Sequence, residues 1–199
     1  MTKHRMELFS DGVFVIVLTL LVLDLKAPAA DGWAGLLALA PGLLVHALTF
    51  GLIGMFWLSH HNVLARVYEI TPRTLVLNLL TLFWVTLVPL GARIAAEHPL
   101  GHLGIGLITA CRSFFGLSNL AMVVSASSSA YDDPKLRRLI SSRRWTALAI
   151  SLAGLAVAAL CAVSPWFGYA WLPTVFVSYF RSRPLDPATT ESAQETLAT

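Results

Sequence analysis

Arg5-Met6-Glu7-Leu8-Phe9-Ser10-Asp11-Gly12 runs without a break into Val13-Phe14-Val15-Ile16-Val17-Leu18-Thr19-Leu20-Leu21-Val22-Leu23-Asp24. A cluster of charged and polar side chains thus opens an apolar helix in which Thr19 carries the one hydroxyl between Asp11 and Asp24. Polar groups at the head of a membrane helix are costly unless neighbouring helices pair with them. The stretch therefore reads as a helix that is both held in place and put to work. Capping alone accounts for part of it, since Ser or Asp near a helix N-terminus satisfies free N–H groups and suits the helix dipole. Capping leaves Arg5, beside an acid and a Phe about one and a half turns earlier, unexplained.

The rest of the chain has the same character. Of its 199 residues, 56% are hydrophobic and 13% charged, with a mean hydropathy of +0.71. Soluble domains carry roughly 25% charged residues, so this composition belongs in a membrane. The first apolar run does not read as a cleaved leader, because Asp11 and Asp24 bracket it and no cleavage-type small-residue site follows. The net charge of +3 is no nucleic-acid signal in such a chain. Cys111 and Cys161 fall in apolar segments, which argues against a disulfide framework or a zinc site.

About 20 mostly apolar residues are needed to span a bilayer, and six segments qualify: Met6 to Leu25, Leu36 to Leu64, Thr74 to Ala96, Leu103 to Ala126, Trp145 to Val163, and a short aromatic one from Trp166 to Phe180. The expected fold is an all-α integral membrane protein, with residues 1–181 forming one six-helix channel domain and 182–199 a polar, disordered tail. Residues 125–129 with the following Tyr-Asp-Asp-Pro read as a solvated turn. An even number of spans puts both termini on one side. Every Lys and Arg except Lys26, Arg93 and Arg112 then falls on that side, so the positive-inside rule makes both termini cytoplasmic. Arg112 lies within a span and is expected to pair with a carbonyl or carboxylate between helices.

Candidate partners for the head of the first helix sit at the same depth. The second segment offers Trp57, Ser59, His60, His61 and Asn62, and the third offers Asn78. Adjacent histidines point about 100° apart on a helix, so His60 and His61 cannot hold one metal from one face, and the i, i+4 ligand spacing is missing. No structural metal and no cofactor is expected; a His or Trp donating to Asp11 is. On the first helix, Ile16, Thr19, Leu20 and Leu23 share one stripe at i, i+3, i+4 and i+7. Such a stripe suits a pore, a neighbouring helix or lipid equally. Asp24, near the far mouth, either concentrates cations or pairs with Lys26.

Arg5-x-x-x-Phe9-Ser10-Asp11 resembles the signature of the transmembrane protein 175 potassium channels, the endolysosomal family whose prokaryotic members are single six-helix repeats. Trp57-x-x-His60-His61, and the run from Asn78 through Leu-Leu-x-Leu-Phe-x-Val-Thr-Leu-Val to Pro89, are similar to that family's second and third helices. The resemblance extends over the six spans and is strongest over the first three. It implies a homotetramer in a prokaryotic plasma membrane with the first helix lining a central pore, and no Thr-Val-Gly-Tyr-Gly filter. It further implies an apolar constriction at Ile16, Leu20 and Leu23, with K+ passing along the pore at Thr19 as the permeant ion. Membrane lipid and monovalent cations are then the partners, and no nucleic acid. The polar network of Arg5, Phe9, Ser10, Asp11, Trp57, His60 and Asn78 is expected to position the helix. A hydrophobic neck offers few oxygens to replace hydration water, so the preference of K+ over Na+ is expected to be modest. The rival readings are a proton-coupled transporter using Asp11 with His60 or His61, a membrane enzyme, and a structural membrane protein. The first lacks the paired broken helices and inverted repeat it needs.

Overall fold

The computed structural model describes residues 2–65, 67, 70–126 and 134–174. Helix α1 spans Lys3–Leu20 and tightens into a 3-10 turn over Leu21–Asp24. Thr2 caps it, its hydroxyl accepting the Arg5 N–H at 3.4 Å. Helix α2 covers Gly32–Leu64; Gly32 opens it at φ 67, a left-handed backbone that a side chain disfavours. Its 33 residues make a rod of about 50 Å, longer than a bilayer core.

The third predicted span is broken in two, α3 over Pro72–Thr86 and α4 over Val88–Glu97. Pro89 is the reason. It has no N–H to give the Val85 carbonyl, which instead accepts from the Leu87 N–H. Pro41, by contrast, stays inside a continuous α2. Helix α5 spans His102–Ala126, α6 Pro134–Leu160 and α7 Trp166–Trp171. Four stretches are long and apolar enough to cross a membrane (Lys3–Asp24, Gly32–Leu64, Pro72–Glu97 and His102–Ser125), with Arg144–Leu160 a shorter apolar helix. These make the chain a multi-pass membrane protein. The sixth predicted span is described through residue 174 and holds a six-residue helix; residues 175–180, the 127–133 turn and the 182–199 tail lie outside the described residues.

Helix α5 is the hub against which α3, α4, α6 and α7 pack. Close approach explains the seams. A Cβ on Gly104 would run into the Ala95 backbone of α4, and one on Gly154 of α6 would run into Ser113 of α5. Small residues at such crossings let helices gain dispersion contacts that lipid cannot supply. The main core joins Phe14 and Val17 of α1 to Ile53 and Phe56, Leu82 and Val85, and Phe115, with Phe56 and Phe115 stacked at 4.6 Å. A second cluster, Met6, Leu64, Val67 and Met122, closes the end near the N-terminus.

Candidate functional site

Two faces of α1 do different things. Met6, Ser10, Phe14, Val17 and Leu21 are buried, at spacings of four and three that make one stripe. This face packs on α2, α3 and α5. The opposite arc is bare: Ile16 is 58% exposed, Leu20 53% and Leu23 75%, and Thr19 is exposed among them. All four residues assigned to the pore stripe therefore lie outside the subunit core.

The buried face is held by polar groups from three helices. Ser10 donates to the Met6 carbonyl at 2.8 Å and accepts from the Asn78 Nδ2 at 3.0 Å. Trp57 Nε1 donates to Asp11 Oδ1 at 2.8 Å, the arrangement expected for a Trp beside that acid. His60 is buried against Phe14, ring centres 5.7 Å apart, while its neighbour His61 is exposed, as helical geometry requires of adjacent residues.

Two residues of the expected network stay out of it. Arg5 is exposed and its guanidinium has no hydrogen bond or ion pair among the described residues; Phe9 is 48% exposed. One residue was missed. The Nδ1 of His60 donates to Asn119 Oδ1 of α5 at 3.0 Å, so the lock reaches a fourth helix. The signal was there in Ser118-Asn119, two polar residues inside an apolar run. Arg112, 6% exposed, meets neither carboxylate nor carbonyl among the described residues; its guanidinium lies over the Trp171 ring at 5.8 Å, a cation–π contact. Asp24 pairs with Arg93 of α4 at 3.8 Å rather than with Lys26. Among the described residues no three His, Cys, Asp or Glu come together as a metal site.

These features can be set beside known proteins. The family model of the endosomal/lysosomal potassium channel TMEM175 matches residues 5–89, which contain α1 from Arg5 on and the whole of α2 and α3. A potassium channel of Chryseobacterium sp. (strain P1-3) is 34% identical over 148 residues, covering 72% of this chain and 74% of that protein. The chain belongs to the TMEM175 family. TMEM175 proteins are ion channels, not enzymes, which removes the membrane-enzyme reading. The human endosomal/lysosomal proton channel TMEM175 is 34% identical over 102 residues, 45% of this chain but 20% of the human one. The fold agrees too: the crystal structure of a lysosomal potassium-selective channel TMEM175 homologue from Chamaesiphon minutus superposes with a TM-score of 0.74. That match covers 92% of this chain and 98% of the other at 23% identity.

Proposed function

We propose that four copies of this chain assemble around α1 into a potassium-permeable cation channel of a prokaryotic plasma membrane, both termini cytoplasmic. The observation that carries this reading is the division of α1 into a locked face and a bare one. A helix pinned by Ser10, Asp11, Trp57, His60 and Asn78 presents Ile16, Thr19, Leu20 and Leu23 outward in a fixed register. Around a four-fold axis the three aliphatic side chains form an apolar neck that gates by excluding water. Thr19 spends its hydroxyl proton on the Ile16 carbonyl at 3.0 Å, so its oxygen lone pairs remain free. Four such oxygens give a partly dehydrated cation a ring of acceptors, enough for a modest preference of K+ over Na+. Asp24, its side chain 40% exposed and only loosely paired to Arg93, adds negative potential at the mouth.

A second reading, proton conduction through the same neck, draws on the human relative, a proton channel by name. Flux from liposomes under a K+ gradient without a proton gradient separates the two. Current that reverses with the K+ gradient supports the potassium channel; silence until a proton gradient is imposed supports the rival. Ile16→Asn, which hydrates the neck, is expected to raise K+ flux, and unchanged flux removes Ile16 from the constriction.

A further inference from the structure

A cavity of about 330 Å³ opens where the 3-10 turn ending α1 meets α2 and α4, on the membrane side opposite the N-terminus. This volume lies at the lower end of the range for ligand pockets. Its lining has an unusual charge pattern. Asp24 and Glu97 bring two carboxylates, Lys26 and Arg93 two cations, and the four are poorly satisfied by one another. Arg93 reaches Asp24 at 3.8 Å and Glu97 at 3.4 Å, both long for charge-assisted bonds. Lys26 has no ion pair at all among the described residues and is exposed. Deeper in, His46 leaves its Nδ1 buried without a partner, and Thr49 gives its proton to the Val45 carbonyl at 2.8 Å, keeping its oxygen free to accept. The remaining walls are leucine, valine, alanine, proline and Gly42.

We infer that this cavity is a binding site for a zwitterionic phospholipid headgroup bearing a primary ammonium, of the phosphatidylethanolamine type. Charge and depth both point to that occupant. The rim carries each sign twice, so it matches a dipolar ligand better than an anion or a cation alone. Lys26 and Arg93 suit the phosphate oxygens. The carboxylate of Glu97 suits an ammonium that still has N–H groups to donate, which a trimethylated choline lacks. Trp33 and Trp166, 79% and 66% exposed, stand at the ends of α2 and α7 on this side, where aromatic residues mark the membrane–water boundary. A charged rim at that boundary above largely apolar walls fits an amphiphile, headgroup outward and glycerol inward. The inference does not depend on which ion the subunits conduct.

Native mass spectrometry of the full-length protein tests it. The protein is reconstituted in vesicles of phosphatidylcholine containing chain-matched phosphatidylethanolamine or phosphatidylglycerol, then extracted and read for retained lipid. Phosphatidylethanolamine is expected to be retained in preference to the other two. Lys26→Gln, at an exposed residue whose loss leaves the fold intact, is expected to weaken retention of both phosphatidylethanolamine and phosphatidylglycerol. Glu97→Gln is expected to weaken phosphatidylethanolamine alone, by about tenfold for one lost charge-assisted bond. Equal retention of the three lipids, or unaltered retention in both variants, overturns the assignment.

Discussion

Helices α1 and α5 are both apolar enough to cross a bilayer, yet the subunit treats them oppositely. Half of the most apolar window of α5 is buried inside the subunit, against 28% of the corresponding window of α1. The buried share of α5 includes Thr109, Arg112, Ser113, Ser118 and Asn119, polar groups that a hub helix can satisfy because neighbours surround it. The bare arc of α1 carries almost nothing but aliphatic and aromatic side chains, with Thr19 the exception. In a membrane there is little hydrophobic gain in covering such an arc with more of the same chain. What fixes α1 is therefore the polar pinning at its head, and what its outer face does is set by whatever lies beyond the subunit.

The sharpest way to break this contrast is to put a side chain on one glycine of each helix. Gly104→Leu on α5 drives a side chain into the Ala95 backbone, whereas Gly12 of α1 has nothing within 4 Å of where a Cβ would stand. Overpacking a tight seam costs about 1–3 kcal/mol or more, so Gly104→Leu is expected to abolish a monodisperse peak in detergent size-exclusion. Gly12→Ala is expected to leave the subunit folded, with helix propensity acting in its favour. If Gly104→Leu is as well behaved as Gly12→Ala, α5 is not the hub described here.

Pinning comes next in size. Asn78→Leu removes the donor to Ser10 from a fully buried site, and a buried polar group left unsatisfied costs about 1–3 kcal/mol. A drop in thermal midpoint and a poorer yield of assembled protein are expected. Trp57→Phe keeps the ring and loses only the bond to Asp11. Interhelical hydrogen bonds in membranes average about 0.6 kcal/mol, so a smaller drop is expected. Equal effects from the two variants would mean that the Trp57–Asp11 bond holds the head of the helix as firmly as the buried Ser10–Asn78 pair.

Much of this organisation could be read before the structure was known, for identifiable reasons. Spans follow from apolar length, and the five boundaries that can be compared lie within a few residues of expectation at most ends. The α6 start is the largest miss, Pro134 against Trp145: the basic stretch 135–144 precedes its apolar part, and a helix can run on past the apolar length that hydropathy reads. Trp57, His60, Asn78 and Ser10 were legible because polar residues in apolar runs must find partners. Arg5 stood out because capping did not explain it and Phe9 entered by resemblance, and among the described residues the Arg5 guanidinium finds no partner. Asn119 and Arg93 escaped because partner choice depends on which helices touch, and helix order in the bundle is not written in hydropathy. Trp171 as the neighbour of Arg112 escaped for another reason. An aromatic face satisfies a cation without any polar atom to give it away.

The smallest expected effect bears most directly on the bare face. Thr19→Val is close in shape to the native side chain and replaces its oxygen with a methyl group. Thr19 is exposed and its proton already serves the Ile16 carbonyl, so the substitution is expected to leave folding and assembly almost unchanged. If four Thr19 oxygens ring the conduction path, the variant loses the acceptors that stand in for part of a cation's hydration shell. The relative permeability of K+ and Na+, read from reversal potentials under bi-ionic conditions, then falls toward one while conduction persists. If instead the bare arc of α1 faces lipid, trading a hydroxyl for a methyl changes neither stability nor reversal potential. An unshifted reversal potential in Thr19→Val, together with unchanged flux in Ile16→Asn, would turn the outer face of α1 from a pore lining into a lipid contact and leave the conduction path to be sought on α2, whose own apolar window is only 11% buried.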